Sequence, residues 1–342
     1  MKRQNNLFDQ IIDYNNIRLA FLKAIRGNRA SPQVISFCQD TGRNLAAVRE
    51  KLQTLNCGWG GYYSFLINDP KLRLISTAPI EQRIMHHAIM NVLEPVLERP
   101  MIHHSYACRK GKGTHAAVEY AFKQCKSNIW FLKLDVRKYF DSIDHEVLKT
   151  QLRKLLKDIR VLTLLDGIID SYETAPDKGV PIGNLTSQFF ANMYLASMDH
   201  FILEKLHPGA YCRYMDDFVL WASSQAELKK MLEQINNFVS EKLCLLLKPP
   251  VFGKASAGLP FLGFLIKEKG IYLMQKSKRR VKERMSEITA LLYSGKTTEE
   301  KAAERVRSVF AAIALARTNR FRKRLCEKRE RSPEVRSPAR TG

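Results

Sequence analysis

Two adjacent aspartates, Asp216 and Asp217, stand inside an otherwise apolar stretch that reads Tyr211-Cys212-Arg213-Tyr214-Met215-Asp216-Asp217-Phe218-Val219-Leu220-Trp221. Aromatic and β-branched residues on both sides predict a strand, a tight turn and a second strand. Carboxylates paired at such a turn repel each other and lose hydration unless a cation neutralises them. Mg²⁺ suits them, because it takes oxygen ligands and commonly uses one or two carboxylates together with substrate phosphates. The dipeptide alone fits a solvated Asp-Asp turn equally well. A third acid changes the reading: Ile129-Trp130-Phe131-Leu132-Lys133-Leu134-Asp135-Val136 is a short apolar run that delivers Asp135 at its end. One carboxylate from a buried strand beside two from a hairpin is the ligand set of a two-metal phosphoryl-transfer site. There the ions lie ~3.5–4 Å apart and clamp the attacking and leaving oxygens.

The element between the two acidic blocks narrows the choice. Gly179-Val180-Pro181-Ile182-Gly183-Asn184-Leu185-Thr186-Ser187-Gln188-Phe189-Phe190-Ala191-Asn192 predicts a loop feeding a helix. In this order the three blocks resemble the reverse transcriptases, whose palm carries one aspartate on a strand and Tyr-x-Asp-Asp on a hairpin. Most of that family has Gln-Gly-x-x-x-Ser-Pro in the intervening element. Here Ile182 stands at the usual Gln and Gln188 at the usual Pro, a form similar to the subgroup from diversity-generating retroelements. The resemblance runs from Phe65 to Arg320.

The resemblance implies an α+β right-hand polymerase: fingers, a palm with an antiparallel sheet and flanking helices, and an α-helical thumb. The expected divisions are an N-terminal helical extension (1–64), fingers and palm (65–270), a basic helical thumb (271–330) and a disordered tail (331–342). Asp135, Asp216 and Asp217, with the Val136 carbonyl, would hold two Mg²⁺ ions. Lys71 and Arg73 alternate on one strand face and would meet the triphosphate of an incoming dNTP. Phe140 would sit under its sugar and exclude a 2′-hydroxyl, with Ile182, Gly183, Gln188 and Met215 around the nascent pair and primer end. Lys248, or less so Lys254, could protonate the leaving pyrophosphate. Phe261, Leu262 and Gly263 fall at the primer-grip position. Further implications are template-directed DNA synthesis on RNA, misincorporation mainly opposite template adenines, and a small basic accessory protein as partner. A retron- or phage-defence-type enzyme is the first alternative, an inert RNA-binding protein the second. The chain leaves no room after the thumb for a maturase domain, which argues against group II intron enzymes.

Composition agrees with a nucleic-acid enzyme. Lys and Arg number 56 against 34 Asp and Glu, a net charge of +22. From Ile271 onward the balance is 20 basic to 8 acidic residues, on a stretch with helical periodicity. Such a surface suits the phosphates of an RNA/DNA duplex and predicts binding that falls steeply with salt. Tyr106-Ala107-Cys108-Arg109-Lys110-Gly111-Lys112-Gly113-Thr114-His115 predicts a basic loop opening a helix, fit for backbone contacts to phosphate. Within each of the pairs His86-His87 and His103-His104 the neighbours cannot share a face, which favours packing or RNA contact over zinc. The seven cysteines are scattered and odd in number, as expected in a reducing cytosol. No signal-like or membrane-length apolar run is present, so a cytoplasmic protein without membrane contact is expected.

Overall fold

The computed structural model describes residues 3–68 and 72–330, with side chains described as far as Leu325. Lys71 and the tail 331–342 lie outside the described residues. The chain opens with four helices, α1 (Phe8–Ile11), α2 (Tyr14–Ala24), α3 (Pro32–Cys38) and α4 (Thr41–Gln53). The last three each begin at a side chain that accepts first-turn N–H groups: Asp13, Ser31 and Asp40. A hairpin follows, β1 (Tyr63–Asn68) and β2 (Leu72–Thr77), then α5 (Ile80–Leu97) and α6 (Thr114–Ser127). The sequence predicts an end or kink at Pro95, but α5 runs on to Leu97. A proline in the last turn removes only one intrahelical bond, and Met85, Ile89, Leu93 and Leu97 anchor the helix in the core.

The site-bearing part comprises β3 (Trp130–Asp135), α7 (Tyr139–Ser142), α8 (His145–Leu155), α9 (Ile159–Asp170), α10 (Leu185–Tyr194) and α11 (Ala196–Phe201), which ends in a π-helical turn. Next come β4 (Ala210–Tyr214), β5 (Asp217–Ala222), α12 (Gln225–Leu243) and β6 (Val251–Lys254). The chain closes with β7 (Leu259–Phe261), β8 (Phe264–Lys267) and β9 (Gly270–Leu273), then α13 (Gln275–Tyr293), α14 (Glu299–Ala312) and α15 (Asn319–Glu330). The stretch Leu245–Leu247, expected as a strand, is not one; only Leu247 bridges to Val136. Its backbone serves other purposes. Cys244 turns left-handed (φ 51°) to close α12, the Leu245 N–H returns to the Val239 carbonyl, and the Leu246 carbonyl accepts from Arg137.

The fold is α+β with antiparallel sheets. The central one has strand order β4-β5-β3-β6, and β7-β8-β9 form a second. Alternation in the central strands splits the hydrophobic interior in two. Leu132, Leu134, Phe218 and Leu220 face a core shared with α2, α5, α8, α9 and α12. Phe131, Val219, Trp221 and Cys212 face a core built from α6, β7–β9 and the C-terminal helices. Each of these large side chains contributes ~1.5–3 kcal/mol by leaving water. With both faces covered, the sheet is a rigid platform for whatever its ends carry.

Candidate active site

Cross-strand register puts Asp135 directly opposite Asp217 at the end of the β3–β5 pair. Asp216 sits in the two-residue turn between β4 and β5, and its carbonyl accepts the Val136 N–H at 3.2 Å. The turn is made by Met215 in the left-handed region (φ 56°). That conformation is uncommon for a residue with a Cβ and persists only where surroundings enforce it. Arg213, fully buried, does the enforcing. Its Nη1 donates to the Met215 carbonyl at 3.0 Å, and its Nε and Nη2 reach Asp199 at 2.8 and 2.6 Å. Asn192 accepts twice from the same guanidinium, and the Tyr211 hydroxyl donates to Asp199 at 2.6 Å. Sequence reasoning missed this network. Its one signal was a charged residue at position 213 in an otherwise apolar strand.

The carboxylates are electrostatically unsettled. Burial, reinforced by Asp135, holds the Asp216 pKa above the usual carboxylate range, against the pull of Lys248 and Arg73. Asp217 is pushed up to about 7, by burial first and then by Asp135 and Asp216, although Lys133 opposes the rise. Each outer acid has a lysine: Lys133 Nζ lies 3.0 Å from Asp217 Oδ1, and Lys248 is paired with Asp135 Oδ1. Lys133 shares the sheet face of Asp135 and reaches Asp217 diagonally. This is a set of hard oxygen donors with too little counter-charge. It fits divalent cations, with Asp135, Asp216 and Asp217 as ligands and the Val136 carbonyl beside them. The three carboxylates face one end of the sheet without being drawn into one cluster. Among the described residues, the group whose ligand atoms all lie within 4.8 Å of one another is instead His145, Glu173 and Asp177, on α8 and the turn before Gly179.

Other sequence candidates divide into those brought to this end and those left elsewhere. Arg73, on β2, acts electrostatically on Asp216. β2 is joined to the α10 entry by the Ser76 N–H donating to the Ile182 carbonyl at 2.8 Å. Gly183 has to be glycine: its φ is 125°, and a Cβ would lie 2.9 Å from Ile75 Cγ2 and 3.2 Å from the Ser76 oxygen. Phe140, half-buried on α7, accepts the Val180 N–H at 2.9 Å through its carbonyl, tying α7 to the same loop. Gln188 is exposed one turn into α10. Lys248 adjoins Asp135 through backbone as well, its N–H donating to the Asp135 carbonyl at 2.8 Å. Lys254 is not brought in. It pairs with Trp130 at the far end of β3, roughly 15 Å away at strand rise, with its ammonium 5.2 Å from the indole centroid.

Phe261, Leu262 and Gly263 form the β7–β8 turn, where Ser277 Oγ donates to the Gly263 carbonyl at 2.7 Å. Leu262 and Gly263, with Thr114, Arg280 and Arg284, line a cleft of about 270 Å³ between α6 and the α13–α14 pair. The histidine pairs behave as packing residues. His86 is buried against the Trp59 ring with its pKa pushed down to about 3 by desolvation, and His104 stacks on Tyr120 at 4.0 Å. Among the described residues, no helix is long and apolar enough to cross a membrane.

Comparison with known proteins places the site in context. The family model described as "Reverse transcriptase (RNA-dependent DNA polymerase)" matches residues 68–248, more than half of the chain, from the β1–β2 hairpin to Lys248. Protein YkfC of Escherichia coli is 26% identical over 248 residues, 59% of this chain and 65% of that protein. Group II intron-encoded protein LtrA of Lactococcus lactis is 24% identical over 143 residues, 40% of this chain and 24% of that one. The chain thus spans less than two thirds of the length of these relatives. Among solved structures, telomerase from Candida albicans with a fragment of telomeric RNA superposes with a TM-score of 0.47 at 13% identity, covering 78% of this chain and 55% of that one.

Proposed function

Because the chain belongs to the reverse transcriptase family, we propose that it is an active RNA-directed DNA polymerase, copying RNA into cDNA from dNTPs. The observation that carries this reading is the register pairing Asp135 with Asp217 beside Asp216, all three acids intact. Two bound Mg²⁺ ions would supply Lewis acidity at the primer 3′-hydroxyl and at the departing pyrophosphate. Asp135, Asp216 and Asp217 bind them, and Lys133 and Lys248 give up the carboxylates they now neutralise. Once released from Asp135, Lys248 is placed to hand its proton to pyrophosphate. Arg73 and Lys71 bind the triphosphate, Phe140 selects against a 2′-hydroxyl, and Met215 lines the primer end. The turn Phe261-Leu262-Gly263 and the basic α13–α15 region, as primer grip and thumb, hold the duplex.

Within that activity the reading extends to an error-prone enzyme of a diversity-generating retroelement, working with a structured template RNA and a small basic accessory protein. Its support is Ile182 and Gln188 where most relatives have Gln and Pro. An aliphatic side chain at 182 cannot hydrogen-bond near the nascent pair. A bond worth ~0.5–1.5 kcal/mol is at most about tenfold in discrimination. The names of the relatives favour a second reading, a faithful polymerase acting with an intron RNA. Sequencing cDNA made by the purified protein on RNA with Mg²⁺, beside Asp216→Ala and Asp217→Ala controls, separates the two. Substitutions concentrated at template adenines, reduced by Ile182→Gln, are expected; faithful cDNA from the wild type would sink the mutagenic role.

A further inference from the structure

A pocket of about 220 Å³ opens between α5 and the first turn of α10. Arg83, His86 and His87 line it from one face of α5, at positions i, i+3 and i+4, and Asn184 and Gln188 line it from α10. Its charge is uncompensated. Arg83 is half-buried and gives Nη2 to the neutral Ala24 carbonyl at 2.6 Å, and among the described residues no carboxylate pairs with it. Desolvation alone pushes its pKa down, with no neighbouring acid pulling it back.

The α10 side adds donors. The helix has ten residues, and its N-cap Asn184 makes no capping bond to it. The Asn184 Oδ1 accepts instead from the Ala78 N–H at 3.1 Å, which leaves Nδ2 without a partner. His86 Nε2 is likewise unpartnered, and the two residues are only 3% and 1% exposed. Both histidines of the pocket are neutral at pH 7, with pKa values pushed to about 3 and about 4 by burial. They serve as hydrogen-bonding groups, and the charge rests on Arg83. One unpaired guanidinium, a helix N-terminus and unpaired nitrogens call for an anion with several acceptor oxygens, which is a phosphate. A neutral base would leave the charge unmatched, and the volume accommodates a phosphate with its neighbouring ribose.

The position selects the strand. The pocket adjoins the Ile182–Gly183 turn that is bonded to β2, on the β1–β2 side of the carboxylates, whereas the basic C-terminal helices lie across β7–β9. Resting on the polymerase reading, we propose that this pocket holds one phosphodiester of the unpaired RNA template strand before it reaches the copying position. Arg83 supplies the charge, Asn184 and the α10 N-terminus supply N–H donors, and Gln188 reaches the ribose. The contact is to the backbone, so it is blind to base identity.

The test is a binding scan with full-length protein and a DNA primer on an RNA template carrying a long 5′ overhang, without dNTP and with Ca²⁺ in place of Mg²⁺. Single neutral methylphosphonates are placed along the overhang and affinity is read by fluorescence anisotropy. One overhang position is expected to weaken wild-type binding roughly tenfold, the scale of a hydrogen-bonded charge contact. That position should fall silent in Arg83→Gln and in His87→Glu, the second variant keeping the Arg83–Ala24 bond. Arg83→Gln should also lower the salt slope by about 0.7, the value of one single-strand phosphate contact. A flat scan, or unchanged position and slope in variants that melt like wild type, overturns the proposal. Inorganic phosphate or pyrophosphate binding that depends on Arg83 alongside a flat scan would assign the pocket to free phosphate, and overturns it too. Primer extension with Mg²⁺ and dNTPs is measured separately. Extension with a flat scan rejects the pocket alone, while a positive scan without extension rejects the polymerase reading alone.

Discussion

The carboxylate-bearing strands and the β1–β2 hairpin serve one nucleotide in this account, yet they are built in opposite ways. β3 and β5 are covered on both faces, and the turn between β4 and β5 is locked from below by Arg213. β1 and β2 pair only with each other, and Phe65, Leu66, Leu72 and Leu74 are all exposed. The hairpin's ties at its base are the Ser76–Ile182 backbone bond and the Ser64–Ser76 hydroxyl pair at 2.9 Å. An isolated two-stranded ribbon is marginally stable in water. The difference teaches that the cation-binding half is preorganised by the fold, while the triphosphate-binding half is ordered by what it binds.

Breaking the stiff half should cost most. Arg213→Met removes one partner of a fully buried ion pair and leaves Asp199 uncompensated, which costs ~3–5 kcal/mol. Urea unfolding should show that loss, and a shift below about 1 kcal/mol would mean the turn is held by something else. Next is the pH response of Asp217, raised from 3.8 to about 7 in the fold. Between those values the native state holds a proton that the unfolded chain releases. The stability this group contributes is therefore full below 3.8 and is lost as pH rises through about 7. Metal-free wild type should lose stability relative to Asp217→Asn over that range in thermal melts. Excess Mg²⁺ should restore the wild type near pH 8 more than near pH 6 (about one proton displaced). A pH-independent difference would place the Asp217 carboxylate in a less buried setting. The smallest effect belongs to the loose half. Arg73→Ala should raise the dNTP KM roughly tenfold, the scale of one charged contact, with an unchanged melting temperature. A large stability loss there would show that the hairpin is part of the core.

How much of this was legible in the sequence follows from the range of the interactions. The three acids could be read because strand alternation and a two-residue turn are local, and local patterns fix which face a side chain takes. Gly183 could be read as a close approach for the same reason. The pairing of Arg213 with Asp199 could not, since a strand residue and a helix residue meet only once the π-helical turn after α11 returns the chain to the sheet. Lys133 looked like one more strand cation until the register placed it diagonal to Asp217. Leu245–Leu247 has the composition of a strand, but the end of α12 claims its backbone first. Between the two lysines considered as proton donors, only the tertiary path decides. Lys248 returns to Asp135, and Lys254 is carried down β6 to Trp130.

The most direct test of the central claim is single-nucleotide primer extension on an RNA template with Mg²⁺. Wild type is compared with Asp135→Asn and Asp217→Asn, each checked for folding and for template–primer binding. The account predicts extension by the wild type. It predicts a loss of about a thousandfold or more in each variant at unchanged binding, since metal stabilisation of the transition state is worth several kcal/mol. Extension that survives either substitution, or a wild type that binds template–primer and Mg²⁺ yet adds no nucleotide, would contradict it.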